Sequence, residues 1–436
     1  MTTPTSGNQT AETGLPPNYY THKLANGLQL VGQRMPSLAS VTFGIQVAAG
    51  LRDEPEERGG LTNLLSDMMF QGTETRDVRQ LTDEFEAIGA RRGAETGTEF
   101  ARYSAQIVGT RLEKALELFA DILMHPAFPE AEFEQMRAIQ LQEIRRRDDE
   151  PMRRIFDLVR EKFYAGTSMG RRALGTKESV EELEPEHLLS FWSARYHARG
   201  SLLAIAGNFD WENVVALIEK YLGGWKGAAK PSPVETPHPQ DAVNIELQDG
   251  NQEHIGMAYP FPKYGDPDYY AASVMTEIFG GGMSSRLFRE VREKRGLVYS
   301  VSAMYAPNGI FGAGYIYAGT TPEKAHETVQ VTLDQMRAIQ SEGVTADELE
   351  RAKVQLKSEL VMRGESSAAR MGALARAWWF EGRLIPISEI TEAVDAVSQE
   401  QILGLLKRFP LTTPLVIGAI GPRTEEELIG DALTAR

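Results

Sequence analysis

GTRLEKA at 109–115 returns 210 residues later as GTTPEKA at 319–325. Each copy opens an amphipathic helix, and each is followed by a second helix that begins PEAEFEQMR (129–137) or TADELERAK (345–353). The elements upstream repeat as well, in the order helix, Gly-containing turn, helix, strand pair. In the first copy they are expected at 60–71, 77–89, 93–98 and 100–108, and in the second at 267–279, 284–294, 297–306 and 310–319. A shared order of elements around a shared word marks a duplication. Two copies make a doubled domain rather than a solenoid.

The periodicity gives each copy its class. TFGIQVAAG (42–50) and FARYSAQIV (100–108) alternate with period two, as half-buried strands do. LEKALELFADIL (112–123) carries the apolar stripe of a helix packed on one side. Strands and helices are interspersed, and several strands adjoin. The fold class is therefore α+β: two homologous domains, each a mostly antiparallel sheet with helices on one face. GGWKGAAKPSPVETPHPQ (223–240) is rich in Gly and Pro and reads as the linker. This sets an N-terminal domain at 18–222 and a C-terminal domain at 241–425. Residues 1–17, MTTPTSGNQTAETGLPP, are polar, lack an apolar core and read as a disordered tail rather than a signal peptide.

Composition excludes several classes. The 436 residues suffice for two or three domains with a large core. Lys and Arg number 46 against 61 Asp and Glu, a formal charge of −15, which opposes a broad nucleic-acid footprint. No apolar run approaches the roughly 18 residues that span a bilayer. Cysteine is absent, so disulfides, thiol catalysis and Cys-ligated zinc are excluded. A cytoplasmic protein is the expectation, with the periplasm as the alternative had an export signal been removed. The seven His are scattered, and none pairs at i,i+4 with another, the spacing that lets two imidazoles on one helix face grip a zinc ion.

GGGMSSRLFREVREKRGLVYS (280–300) is the most specific segment. Three glycines give a flexible turn, Ser284 or Ser285 can cap the helix that follows, and Gly296 is suited to end it. Tyr299 then falls in a strand, where a tight turn could bring Arg292 back towards it. A phosphate loop would need Gly-Lys-Ser/Thr after the glycines and a strand before them; neither is present. On local sequence alone the default reading is a structural turn with Arg292 in a surface ion pair.

In combination, five segments resemble the inverzincin family of zinc peptidases, pitrilysin-like and mitochondrial-processing-peptidase-like, in its short bacterial type. They are ANGLQLV near the start, GGLTNLLSDMMFQGT (59–73), AIQLQEI, YHARGSLLAIAGNFD and the 280–300 segment, spread over roughly 18–420. The resemblance implies that the two domains form half of a clamshell chamber, with zinc on one wall and an Arg/Tyr pair on the facing one. Where the family carries His-x-x-Glu-His, this chain has Asn63, Ser66 and Asp67; Glu143 falls near the family's third ligand, with Gln142 beside it. An amide, a hydroxyl and carboxylates without imidazole do not make a zinc peptidase site, and Ser66 cannot act as the carboxylate base. The Arg/Tyr pair maps onto Arg292 and Tyr299. Both are hydrogen-bond donors suited to a developing oxyanion.

The expectation is thus a subunit with no cofactor of its own, inactive alone, that lends Arg292 and Tyr299 to a homologous zinc-binding partner in a heterodimer acting on unfolded peptides. The alternatives are a catalytically inactive scaffold or peptide-binding homodimer, and an autonomous hydrolase using a different site. The 223–240 segment is either a hinge or a passive tether.

Overall fold

The computed structural model describes residues 15–430 and 432; of the tail expected at 1–17, residues 1–14 lie outside the described residues. The first half of the chain builds a sheet from β1 (Tyr19–Lys23), β2 (Gln29–Arg34), β3 (Ser40–Val47), β4 (Arg91–Thr96), β5 (Ala101–Val108) and β6 (Leu202–Gly207), in the order β1-β2-β6-β3-β5-β4. The second half builds one from β7 (Ala242–Leu247), β8 (Glu253–Phe261), β9 (Val298–Pro307), β10 (Gly312–Thr320) and β11 (Val416–Gly421), in the order β7-β11-β8-β10-β9. Strand for strand, the second order repeats β2-β6-β3-β5-β4. The β2–β6 and β7–β11 pairs are parallel and the others antiparallel. The duplication read from seven residues therefore extends through the whole strand order.

The helices of the first half are α1 (Leu61–Met68), α2 (Val78–Ala87), α3 (Leu112–Met124), α4 (Glu130–Asp148), α5 (Pro151–Phe163), α6 (Lys177–Glu181), α7 (Pro185–Arg195) and α8 (Trp211–Leu222). Those of the second are α9 (Tyr269–Thr276), α10 (Ala325–Glu342), α11 (Ala346–Gly364), α12 (Ser367–Glu381), α13 (Ile387–Ala396), α14 (Gln399–Arg408) and α15 (Glu425–Ile429). The repeated words sit where they were expected, at the entries of α3 and α10.

Two compact units result, and each draws on both halves of the sequence. One holds residues up to 141, 173–233 and 361–389; the other holds 142–172, 234–360 and the residues from 390 onward. In the first unit, one face of the sheet is packed by the half's own helices, with Phe43 of β3 edge-on to Phe119 of α3 at 5.0 Å. The other face is met by α12, whose Met371, Leu374 and Ala375 pack on Val31, Leu202, Ala204 and Ala206. This explains why all six residues of β6 are buried. In the second unit α5 does the same work: Ile155, Val159 and Phe163 pack with Ala258, Tyr315, Tyr317 and Val416. A Cβ on Gly256 or Gly418 would come within 2.9 Å or 2.7 Å of α5 side chains, so glycine lets the helix lie close on the sheet.

Buried arginines fix both lent helices. Arg370 of α12 donates to Gln33 at 2.6 Å and to the Tyr19 hydroxyl at 2.8 Å. Arg154 of α5 meets Glu161 at 3.2 Å and Glu246 at 3.0 Å. The chain passes between the units several times, so residues 223–240 are one connection among several rather than a sole hinge. They are also tied down: Trp225 is buried, Arg195 donates to the Lys230 carbonyl at 2.8 Å, and Glu235 accepts from the Ser168 N–H at 2.6 Å. Among the described residues, no helix is long and apolar enough to cross a membrane.

Candidate functional site

The first corner is built on α1. Gly60 precedes the helix with φ +87°, a conformation that glycine adopts without strain, and a Cβ there would lie 2.4 Å from the Leu174 carbonyl. The buried Glu54 carboxylate accepts from the N–H groups of Gly60 at 3.3 Å and Thr62 at 2.6 Å, which satisfies the open helix end. Apolar residues at 61, 64, 65 and 68 face the core. Thr62 is buried as well, which leaves Asn63, Ser66 and Asp67 as the remaining polar positions of the helix.

Each of these is engaged in structure. Asn63 donates its amide to Gln140 Oε1 at 3.2 Å, and Gln140, 2% exposed, donates in turn to the carbonyls of Gly60 at 3.0 Å and Leu174 at 2.9 Å. Ser66, also 2% exposed, accepts from the hydroxyls of Tyr103 and Thr96, each at 3.2 Å. The Tyr103 hydroxyl is 2.6 Å from that of Tyr196, and burial drives the pKa of both phenols up, so this cluster stays protonated. Asp67 is exposed, and its backbone carbonyl accepts from Gln71 at 3.3 Å. Glu143 on α4 lies in a surface ion pair with Arg146 at 2.6 Å. Among the described residues no group of three or more His, Cys, Asp or Glu side chains is placed to hold a metal. A zinc peptidase centre does not fit this donor set: there is no imidazole, and the base position is a hydroxyl sealed inside a phenol cluster.

The second corner is the 280–300 segment. Its glycines serve close packing rather than a flexible turn. A Cβ on Gly280 would fall 2.3 Å from the Ala303 nitrogen of β9, and one on Gly281 would fall 2.1 Å from the Glu277 carboxylate. Ser285 caps the next helix by accepting from the Phe288 N–H at 3.4 Å. That helix is wound with π-type bonds over Phe288–Glu293, a geometry common at functional sites. Arg286 anchors it to α11 by two bonds to Glu348, at 2.7 and 2.8 Å, and one to the Gly343 carbonyl. Burial raises the Glu348 pKa, but Arg286 and the Thr345 N–H outweigh this and bring it to about 2. Gly296, at φ +58°, then closes the turn into β9 with its N–H on the Arg292 carbonyl at 3.0 Å.

Arg292 and Tyr299 flank this turn, and both are exposed. Arg292 lies over the Phe288 ring, 5.0 Å from its centroid. Among the described residues it has no ion pair, whereas its neighbours Lys294 and Arg295 are both paired with Glu290. Tyr299 is 45% exposed, and its hydroxyl donates to the side-chain carbonyl of Gln252 at 3.2 Å. No hydrogen bond joins Arg292 to Tyr299 among the described residues. Beside the corner, Ile278, Met283, Ala352 and Val354 line an open cleft of about 780 Å³.

Sequence reasoning missed three participants. Gln140 lies one helical turn before Glu143 and looked like any surface amide. Gln252, which accepts from Tyr299, and Tyr317, whose hydroxyl meets Nδ1 of His254, lie outside the 280–300 segment. The one signal was for Tyr317, since a buried tyrosine hydroxyl usually finds a partner.

Comparisons with known proteins identify the family and the fold. The family model described as Insulinase (Peptidase family M16) matches residues 30–177, and the one described as Peptidase M16 inactive domain matches residues 182–356. A protein of Rickettsia felis named as a zinc protease is 31% identical over 416 residues, covering 92% of this chain and 98% of its own length. One of Rickettsia bellii, named likewise, is 32% identical over 412 residues, covering 93% and 98%. Among solved structures, a peptidase M16 inactive domain from Pseudomonas fluorescens superposes with a TM-score of 0.86 at 24% identity, covering 93% of this chain and 98% of that one. A protease from Helicobacter pylori gives 0.86 at 19% identity, covering 93% and 99%.

Proposed function

Because the chain belongs to the M16 (pitrilysin-like) zinc peptidase family, we propose that it is the non-zinc-binding Arg/Tyr subunit of a heterodimeric metalloendopeptidase. In this reading a homologous partner with an intact His-x-x-Glu-His brings the zinc and its activated water. This chain brings Arg292 and Tyr299 to the carbonyl under attack. The substrates are unfolded peptides, which present backbone carbonyls without a fold to open.

One observation carries the reading. The exposed Tyr299 hydroxyl already donates to an amide carbonyl, that of the Gln252 side chain, which is chemically the acceptor a peptide bond offers. A substrate carbonyl takes the place of Gln252, and Arg292 adds a planar cationic donor that no carboxylate among the described residues neutralises. As the carbonyl carbon becomes tetrahedral its oxygen gains charge, and fixed donors stabilise that charge more than the ground state. The α1 corner supports dependence on a partner, since its polar groups are spent on structure.

The decisive experiment is metal analysis and cleavage of a labelled unfolded peptide, with the chain alone and after co-expression with a homologous neighbour that carries the intact motif. The chain alone is expected to hold no stoichiometric zinc and to cleave nothing, and the co-purified pair to hold one zinc and cleave. One tightly held zinc per lone chain, with cleavage, would overturn the proposal. A peptide-binding homodimer is the reading favoured by β4, an edge strand exposed from Arg91 to Glu95 and open to strand addition. Tight peptide binding by the lone chain, with no activating partner, would support it instead.

A further inference from the structure

The two sheets differ at one edge. In the first, β2 pairs with β6 on one side and with β1 on the other. In the second, β7 stands where β2 stands but pairs only with β11. The ladder shows which backbone groups this leaves open. The Gln29 N–H donates to the Ser201 carbonyl, just before β6, and the Ala242 N–H donates to the Leu415 carbonyl, just before β11, each at 3.2 Å. Gln29 and Ala242 are therefore equivalent. Successive residues of a strand turn their N–H and C=O to opposite sides, so the next and every second residue face away from the parallel partner. In β2 these are Leu30, Gly32 and Arg34, which oppose His22, Tyr20 and Asn18, and the Arg34 N–H donates to the Asn18 carbonyl at 2.8 Å. In β7 they are Val243, Ile245 and Leu247, and among the described residues nothing bonds to their outward backbone groups.

Protein edges are commonly blunted by Pro, Lys or a bulge. β7, AVNIEL, has none of these. Its one charge, Glu246, is paired with Arg154 of α5, and Asn244 donates to the Leu158 carbonyl on the same face. Val243 and Ile245 pack on the core at the other face, and Leu247 is 64% exposed. We infer that β7 is the interface of a homodimer, in which the β7 strands of two copies pair antiparallel about a twofold axis at Ile245. Ile245 then opposes Ile245, and Val243 opposes Leu247 of the second copy. These are the residues with outward backbone groups, and opposed residues at such positions exchange both bonds, so every open group is satisfied. A twofold axis normal to the sheet keeps each face on its own side. Apolar side chains meet on one face, and on the other Asn244 opposes Glu246. Moving the axis to Glu246 would set two carboxylates against each other. The sequence of β7 is thus complementary to itself in one register, which favours a second copy over an unrelated strand. The inference does not rest on the proposed function. β7 and β9 are opposite edges of their sheet, so this pairing leaves Arg292 and Tyr299 uncovered.

The test is the mass of the full chain in solution by light scattering across a concentration series. Wild type is expected at twice the chain mass. Asn244→Glu puts like charges opposite Glu246 of the second copy and is expected at the mass of one chain, with its thermal unfolding cooperative. Asn244→Lys is expected to remain a dimer. The chain has no cysteine, so Asn244→Cys with Glu246→Cys gives a clean trap: air oxidation is expected to yield a covalent dimer that reductant dissolves. Wild type at one chain mass throughout would overturn the inference, including the case in which deleting residues 2–14 releases a dimer and so assigns the edge to the chain's own start. A dimer that survives Asn244→Glu and does not cross-link through the paired cysteines would overturn it as well, by placing the contact elsewhere.

Discussion

The α1 corner and the β9 corner lie in the two halves of a duplicated chain at non-equivalent positions, and they handle polarity in opposite ways. At α1 the side chains turn inward: Asn63 is bonded to a buried Gln140, and Ser66 to a closed phenol cluster. At β9 they turn outward. Arg292 has a ring beneath it and, among the described residues, no paired carboxylate, and Tyr299 spends its hydrogen on an amide carbonyl at the surface. Groups already spent within the fold have little left for a ligand. In the proposed function the chemistry falls at β9, and the following experiments press on that contrast from the largest effect to the smallest.

The strongest is at β9 itself. Arg292→Ala or Tyr299→Phe is expected to lower kcat of the zinc-bearing heterodimer by about 10²–10³, the usual cost of one oxyanion donor, with thermal stability unchanged because both side chains are exposed. Steady-state cleavage of an unfolded peptide measures it. Full activity in either variant would erase the contrast between the corners.

The converse experiment rebuilds the family motif at α1. Asn63→His, Ser66→Glu and Asp67→His together supply the missing groups. The Ser66 position is sealed, however, and a carboxylate there would be buried against Tyr103 without a cation. The triple variant is expected to lose roughly 3 kcal/mol or more of unfolding free energy and to hold no stoichiometric zinc. Denaturant titration and metal analysis report both. Zinc uptake at one per chain would show that α1 is only a few substitutions from being a metal site.

Behind the β9 corner, Arg286→Ala strands the Glu348 carboxylate and is expected to cost about 2–3 kcal/mol. The pH dependence identifies the pair. The folded pKa of Glu348, about 2, lies below its ordinary 4.5, so the stabilisation is present above pH 4.5 and is lost as the pH falls towards 2. Wild type should weaken over that window more steeply than Arg286→Ala.

Much of this was legible in the sequence, and the reasons differ by residue. GTRLEKA and GTTPEKA predicted equivalent halves because duplication preserves strand order, and the period-two pattern of 100–108 placed Tyr103 and Ile107 inward. The exchange of α5 and α12 was hidden. Their apolar stripes are ordinary, and a stripe records that a helix is buried without recording which sheet it meets. The positions of Arg292 and Tyr299 could be named from the 280–300 segment, but their setting could not. The register of β9 against β10 shifts at Tyr299, and Gln252 and Gly319 reach Tyr299 only through strand pairing. Asn63 and Ser66 could be read as poor zinc chemistry, whereas their structural occupation required Gln140, 77 residues from Asn63, and Tyr103, 37 residues from Ser66.

The smallest effect concerns Glu253 of β8, next in the chain to Gln252, the surface acceptor of the Tyr299 hydroxyl. It is fully buried; one carboxylate oxygen has no hydrogen-bond partner among the described residues, and the other accepts from the Arg423 N–H at 3.3 Å. Burial raises its pKa to about 7, against the opposing pull of Arg423. The folded value lies above the ordinary 4.5, so the folded state holds a proton that the unfolded chain releases. The resulting stabilisation is complete below pH 4.5 and is lost as the pH rises through 7. Glu253→Gln keeps the shape and removes the charge. It should make the unfolding free energy nearly flat from pH 5 to 8 and exceed wild type by about 2 kcal/mol at pH 8. Urea titrations across that range test it. If the variant instead tracks wild type at every pH, Glu253 is ionised and solvated in the fold, and the interior of the β9 corner is wetter than its packing indicates.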